Sequence, residues 1–142
     1  MAGGQEIDLS SEGKKITMET LQKMDQCKTG ALIRAAAAMG CALAGADQRL
    51  RKAADEYAAS VGFAFQIVDD ILNEKGDAEA LGKPVGNDRE KGKSTYVSLL
   101  GLQSAGRAAA ELTKTAVDAL GAFGGGTEYL AGLAEKLAAR ER

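Results

Sequence analysis

Four polar side chains interrupt one apolar helical stretch of the sequence, and their types are those that bind metal ions. The stretch FAFQIVDDILN covers residues 63–73, and its polar members are Gln66, Asp69, Asp70 and Asn73. At about 100° per residue, these side chains fall within about one third of the helix circumference. Neighbouring carboxylates on an apolar surface cost free energy unless a cation neutralises them. Mg²⁺ prefers such oxygen ligands and leaves its other positions to water and phosphates.

The side chains between these polar positions affect how the cluster is interpreted. A solvated acidic helix face is the alternative to a metal site. Spacing alone favours that alternative, because paired acidic residues are common on helices. The intervening side chains are apolar, which leaves little other polar surface on this turn and supports the metal site. They are Ile67, Val68, Ile71 and Leu72.

A second group of candidate functional residues is cationic. Lys83 and Lys93 belong to a glycine-rich segment, and Lys28 opens the tripeptide KTG. Lysine binds phosphate as a point charge, and helix N-termini add backbone N–H donors. Lys93 is followed by Ser94 and Thr95, so a cation, hydroxyls and a predicted helix start come together. Solvated surface lysine is the alternative for this group, and it is favoured for Lys75 and Lys91. The glycine-rich segment lacks the Walker A pattern.

The composition excludes several classes of enzyme and partner. The chain has 142 residues, no His, and a formal net charge of −2. Without His there is no Ser-His-Asp triad, Cys-His pair or His-based zinc site. Any chemistry must use carboxylates, lysines, hydroxyls or a metal. The small net charge gives no field that attracts nucleic acid or an anionic membrane, so we expect neither as a partner.

Cysteine usage and the N-terminal sequence bear on the compartment. Cys27 and Cys41 form no C-x-x-C pattern, which indicates free buried thiols in a reducing environment. The opening MAGG is not a leader peptide, and the apolar run 35–46 is too short to span a bilayer. We therefore expect a soluble cytoplasmic protein.

The same composition predicts an all-α fold. Hydrophobic residues make up 45% of the chain but aromatic residues only 4%, which favours closely packed helices over β-sheets. No strand pattern is present. We predict an antiparallel helical bundle in which residues 1–142 form one compact unit. Its parts are a helix stub and loop at 1–16, helices carrying the aspartates at 17–75, a glycine-rich loop at 76–93, and further helices at 94–142.

Capping residues and glycines predict where the helices begin and end. In the third helix, apolar residues recur at spacings of 3 and 4 from Leu50 to Leu72, which predicts one buried face. In the second, Ala35, Ala38 and Ala42 predict close helix packing. The predicted helices run from Thr17 to about 27, from 29 to 44 with Gly45 as C′ residue, from Asp47 to 75, from Ser94 or Thr95 to about 123 with a bend near Gly101 or Gly106, and from Thr127 onward.

Several segments together resemble one known family. FQIVDDILN at 65–73 resembles the second aspartate-rich motif of the trans-prenyl diphosphate synthases, F-Q-x-x-D-D-x-x-D. The resemblance extends over essentially the whole chain, and the run 94–102 is most similar to bacterial short-chain members of the farnesyl diphosphate synthase type. The other similar segments, in the family's order, are GGQ at 3–5 with Asp8, KTG at 28–30, GD at 76–77, LGKP at 81–84 and GKSTY at 92–96.

The resemblance implies a fold, a reaction and a set of site residues. The fold is the all-α isoprenoid synthase fold, usually homodimeric, and the reaction joins an allylic diphosphate to isopentenyl diphosphate. The implied cofactor is Mg²⁺, or Mn²⁺ in its place, which stabilises the leaving diphosphate electrostatically. The implied roles are metal binding for Asp69, Asp70 and Asn73, diphosphate binding for Lys28, Thr29, Gln66, Lys83 and Lys93, and cavity lining for Gln5, Asp8 and Tyr96.

The chain departs from the family pattern in two ways. Asn73 occupies the last motif position in place of aspartate, so one ligand lacks charge. The family's first aspartate-rich motif, which lies upstream of the matching segment, is not found in this sequence. The chain therefore resembles the C-terminal portion of a synthase.

We accordingly expect a prenyltransferase that makes a short-chain product, farnesyl diphosphate, in its full-length form, and an inactive chain in isolation. A geranylgeranyl diphosphate synthase is one alternative. A non-catalytic helical subunit of a heteromeric or split synthase is another, and a helical interaction module with relic motifs is a third.

Overall fold

The computed structural model of the chain describes residues 1–75 and 93–140. Every regular element within these ranges is a helix, which confirms the predicted all-α class. Most of the predicted loop at 76–93, including Lys83, lies outside the described residues. The elements are α1 (Ala2–Ser11), α2 (Met18–Asp25), a π-helix (Gln26–Gly30), α3 (Ala31–Leu43), α4 (Gln48–Lys75), α5 (Tyr96–Leu100), α6 (Leu102–Ala119), a 3₁₀-helix (Leu120–Phe123) and α7 (Glu128–Ala138).

The N-terminal third differs from the sequence-based expectation. α1 is ten residues long, a full helix rather than a stub. Thr17 caps α2 as predicted, since its Oγ1 accepts a hydrogen bond of 3.2 Å from the N–H of Thr20. The predicted break near residue 28 is absent. Instead, α2 continues through the π-helix directly into α3. A π-helical turn inserts one extra residue per turn and is frequent at functional sites.

The long helix α4 forms the centre of the fold and packs most extensively against α6 and α3. Asp47 caps it as predicted, because its Oδ1 accepts a 2.8 Å hydrogen bond from the N–H of Leu50. The predicted apolar stripe faces inward: Tyr57, Val61 and Val68 are all buried. This stripe accounts for the position of α4, because burial of apolar surface is the main favourable contribution to folding.

Two apolar clusters line α4 at different heights. The first lies beneath the candidate site and contains Leu21, Ile67, Val68, Tyr96, Val97, Ala105 and Ala109. The second joins α4 to the last helix and contains Tyr57, Val61, Ala116, Leu120 and Ala134. In addition, the Tyr57 hydroxyl donates a 2.8 Å hydrogen bond to the carbonyl of Leu130. The smallest residues of both clusters are alanines, so the helices that carry them can pack closely against α4.

The predicted fourth helix is broken at Gly101. Thr95 and Ser98 form a capping box that begins α5, with hydrogen bonds of 2.8 and 3.1 Å. Gly101 has a φ of 80°, a left-handed value that glycine adopts without steric cost, and α6 starts after it. Gly106 lies within α6. At α7, Thr127 is the N-cap residue but makes no side-chain capping bond, because its ψ of 4° is not extended.

The alanine face of α3 is exposed, contrary to the prediction of tight packing. Ala35, Ala38 and Ala42 are exposed, and only Cys41 of this helix is buried. α3 packs on α4 through its opposite face. Both cysteines are free thiols, with Cys27 half-buried. Among the described residues, no helix combines the length and apolarity that crossing a membrane requires.

Candidate functional site

One buried carboxylate joins two of the predicted phosphate-binding lysines. Asp8 is 6% exposed, and its Oδ2 accepts a hydrogen bond of 2.5 Å from the Lys28 ammonium. Its Oδ1 accepts a bond of 2.8 Å from the Lys93 ammonium. A second acidic residue, Glu12, places its Oε1 3.7 Å from the Lys93 Nζ. Residues from α1, the π-helix and the segment before α5 thus meet at one point.

The charge on Asp8 is fixed by these contacts. Burial by itself raises the pKa of Asp8, but the hydrogen bonds from Lys28 and Lys93 outweigh it and hold the pKa below its ordinary value. Asp8 is therefore an anion at neutral pH. It holds two ammonium groups together as a cationic pair at the surface, where Lys28 retains 36% exposure of its side chain.

The π-helix presents Lys28 to Asp8 through a close helix approach. A Cβ built on Gly4 would lie 2.3 Å from the backbone nitrogen of Lys28 and 2.6 Å from the Lys28 Cα. No side chain fits in that space, so α1 rests directly on the backbone of the π-helix. Asp8 follows Gly4 by four residues and therefore lies on the same face of α1.

The segment that carries Lys93 is fixed from two sides. Its Ser94 hydroxyl accepts a 3.2 Å hydrogen bond from the N–H of Ile16, in the connection between α1 and α2. The N–H of Tyr96 donates a 2.7 Å bond to Asp70 Oδ2 on α4. Asp70 thereby satisfies a backbone donor at the start of α5 and connects the aspartate motif to the lysine segment.

The two aspartates of the motif contact different parts of the chain. Asp69 Oδ1 accepts a 2.9 Å hydrogen bond from Arg140 Nη2, beyond the end of α7. Asp70 is directed to α5, as described above. Both side chains are half-buried, as are Gln66 and Asn73 on the same helix.

The donor set of α4 fits a magnesium ion. Its atoms are carboxylate and amide oxygens, the hard ligands that Mg²⁺ prefers. Within residues 1–75 and 93–140, no group of three or more Asp, Glu, Cys or His side chains could form a protein cage around a metal. With only these oxygens from the protein, water and substrate phosphates would have to complete the coordination of Mg²⁺.

A buried acid that the sequence analysis missed lies beneath the lysine pair. Asp25 is 5% exposed and lines a cavity of about 80 Å³ between the π-helix and α4. Burial raises the pKa of Asp25 to about 6, although the Tyr96 hydroxyl and Lys28 partly oppose this. Its position three residues before Lys28, on the same helical face, was the available sequence signal.

Tyr96 lies next to Asp25, in the core. Only 2% of Tyr96 is exposed, and its role in lining a substrate cavity stays a prediction. Its hydroxyl has no hydrogen-bond partner of full geometry among the described residues. Burial and the nearby Asp25 carboxylate raise the pKa of Tyr96. Thr29 is half-buried in the π-helix, and Gln5 is exposed on α1.

Comparison with known proteins gives a consistent family assignment. Residues 1–120 match the model for polyprenyl synthetase. Farnesyl diphosphate synthase of Escherichia coli strain K12 is 46% identical over 121 residues, which are 84% of this chain and 40% of that protein. Geranylgeranyl diphosphate synthase of Cyanophora paradoxa is 46% identical over 104 residues, 72% of this chain and 35% of that protein. The chain thus spans less than half the length of these curated relatives.

A solved structure with the same helical arrangement is that of a geranyltransferase from Helicobacter pylori, crystallised with magnesium and isoprenyl diphosphate. It superimposes with a TM-score of 0.78 at 30% sequence identity, over 96% of this chain and 45% of that one.

Proposed function

The chain belongs to the polyprenyl synthetase family, and from that premise we propose that it forms part of a prenyltransferase active site that binds an allylic diphosphate. The observation that carries this proposal is the meeting of Lys28 and Lys93 on Asp8. A paired cation fits the charge of a diphosphate, and the aspartates on α4 add a metal site nearby.

In the proposed reaction, geranyl diphosphate condenses with isopentenyl diphosphate, diphosphate and a proton are released, and the product is farnesyl diphosphate. Dimethylallyl diphosphate reaches the same product through two successive condensations, with geranyl diphosphate as the intermediate. Lys28 and Lys93 bind the allylic diphosphate, together with Thr29 and Lys83. Asp8 keeps the two ammonium groups adjacent, and Asp25 supports Lys28 from below.

Asp69 and Asp70 would hold Mg²⁺, or Mn²⁺ in its place, with the amide oxygen of Asn73 as an additional donor. Gln66, on the same helix face, would bind the diphosphate. The metal supplies electrostatic stabilisation of the departing diphosphate. The relative from H. pylori, which was crystallised with magnesium and isoprenyl diphosphate, supports this assignment.

A binding experiment tests the proposed site without requiring turnover. The chain is titrated with inorganic diphosphate in the presence of Mg²⁺, and heat of binding is measured. We expect saturable binding that weakens by about ten-fold or more in Lys28→Gln, because hydrogen bonds to charged groups contribute about 1.5–3 kcal/mol. The matched control is Lys52→Gln, an exposed lysine of α4. Equal weakening in both variants would reject the site and leave only general charge attraction.

The isolated chain is expected to be inactive, since its sequence contains one aspartate-rich motif and the family uses two. Incubation of the purified chain with geranyl diphosphate, isopentenyl diphosphate and Mg²⁺ tests this expectation. Formation of farnesyl diphosphate would refute it.

A second proposal is that the chain functions in a homo-oligomer or pairs with a separate subunit. The exposed apolar face of α3 favours it, because Leu32, Met39 and Leu43 are 63%, 62% and 91% exposed. Apolar residues that share one exposed helix face are typical of interfaces. The alternative product, geranylgeranyl diphosphate, is supported by the relative from Cyanophora paradoxa and is distinguished by analysis of the product.

A further inference from the structure

Arg140 contacts the first aspartate of the α4 motif by two kinds of interaction. Its Nη2 donates a 2.9 Å hydrogen bond to Asp69 Oδ1. Its guanidinium carbon lies 4.3 Å from the centroid of the Phe65 ring, within the range of a cation–π contact. Phe65 precedes Asp69 by one helical turn, so the ring and the carboxylate lie side by side on the face of α4 that contacts Arg140.

This ion pair is incomplete, and a second pair in the same chain shows the contrast. Arg34 contacts Asp55 through both Nε and Nη2, at 2.6 and 2.8 Å, in the bidentate geometry of a structural ion pair. Arg140 uses a single N–H toward Asp69. Its Nε is buried and has no hydrogen-bond acceptor within residues 1–75 and 93–140. The Nε–H group of Arg140 therefore donates no hydrogen bond to these residues.

We infer that Arg140 is a displaceable counter-ion of Asp69, which sets the affinity of the aspartate pair for a divalent metal. The inference rests on the proposed metal site. An oxygen that accepts a bond from a guanidinium has part of its charge neutralised already, so it attracts a metal less strongly. Asp69 Oδ1 has to release Arg140 before it can ligate the ion without competition from the guanidinium. Phe65 provides the apolar surface that retains the guanidinium near the site in the meantime.

Metal titration of the 142-residue chain tests this inference. Calorimetry with MgCl₂ gives the dissociation constant of the wild-type chain and of Arg140→Gln. The pair is partly exposed, with 47% of the Asp69 side chain accessible, so we expect tighter binding by only about two- to five-fold. Lys136→Gln is the matched control, because it removes an exposed cation from the last turn of α7. An equal gain in both variants would overturn the inference, since it would report only net charge.

The proposed metal site and the Arg140 inference can fail separately. If neither the wild-type chain nor Arg140→Gln binds Mg²⁺, the metal site is rejected, and the inference is rejected with it. If both bind with the same affinity, the site stands and the inference alone is wrong. In an Asp69→Asn background, the Arg140→Gln substitution should no longer change the metal affinity, because the coupled partner is gone. A persisting gain there would contradict the inference.

A spectroscopic measurement reports the displacement directly. While the two groups are in contact, the ring current of Phe65 should shift the resonances of the Arg140 side chain upfield. On addition of Mg²⁺, these resonances should move toward the values of an unstacked arginine, with the same midpoint as the calorimetric titration. Arg140 resonances that stay unchanged at saturating Mg²⁺ would exclude displacement.

Discussion

Gly4 lies so close to Lys28 that a Cβ at position 4 would be 2.3 Å from the Lys28 backbone nitrogen. This contact places α1 on the π-helix and brings Asp8 to the Lys28 ammonium. A glycine in a helix normally costs stability, about 0.5–1 kcal/mol relative to alanine. At position 4 this cost is tolerated, because no other residue lets α1 approach the π-helix so closely.

Gly4→Ala should therefore destabilise the chain by about 1–3 kcal/mol, because backbone atoms of Lys28 have to move to accept the methyl group. Gly3→Ala is the internal control: nothing lies within 4 Å of a Cβ at that position, so the substitution should stabilise α1 by about 0.5–1 kcal/mol. Urea denaturation followed by circular dichroism measures both. The same sign for the two variants would contradict the contact.

The glycine pair also illustrates the limits of prediction from sequence. The motif GGQ is visible in the sequence, but nothing local distinguishes Gly3 from Gly4. The difference arises from a residue more than 20 positions away, on another helix. The π-helix was missed for a related reason: it packs against α1 and α4, and such tertiary contacts are not visible in the local sequence.

Local signals predicted the features whose causes are local. Thr17 and Asp47 cap their helices through hydrogen bonds to nearby N–H groups, and the spacing of apolar residues in α4 identified its buried face. Asp25 and Arg140 were not singled out, because their roles depend on tertiary contacts with Tyr96, Phe65 and Asp69.

The two neighbouring aspartates of α4 should differ in their importance for stability. Asp70 accepts the hydrogen bond from the Tyr96 N–H at the start of α5, so Asp70→Ala leaves a backbone donor unsatisfied and should cost about 1–3 kcal/mol. Asp69 makes a partly exposed ion pair, so Asp69→Ala should cost at most about 1 kcal/mol. Denaturation at pH 7 without metal measures both. Equal losses would show that Asp70 has no special structural role.

Stability should fall as pH rises from about 4 to 6, and Asp25 should be a main cause. The pKa of Asp25 is about 6 in the folded chain and 3.8 ordinarily, so the folded state binds more protons within this window. The free energy of unfolding therefore decreases with rising pH, by up to about 3 kcal/mol for a pKa raised by about two. Asp25→Asn has no such proton to lose, so its stability should change less between pH 4 and 7. Parallel pH profiles for the two chains would refute this.

Asp8 should have the opposite pH dependence. Lys28 and Lys93 hold its pKa below the ordinary value of 3.8, so its contribution is present above pH 4 and is lost on acidification. Comparison of the wild-type chain with Asp8→Asn between pH 2.5 and 5 measures this contribution. A wild-type advantage that grows as the pH falls would have the wrong sign and would contradict the Asp8 contacts.

The apolar face of α3 should cause the chain to self-associate. Leu32, Met39 and Leu43 recur at spacings of 7 and 4 on this helix, and each is more than 60% exposed. Burial of such surface stabilises association by about 25 cal/mol per Å² before the entropy of association is subtracted. We expect multi-angle light scattering to give a mass above that of a monomer. Met39→Lys with Leu43→Glu should restore the monomer, whereas Arg49→Glu with Lys52→Glu, which changes exposed charges on α4, should not. A monomeric wild-type chain at 100 µM or above would exclude self-association through this face.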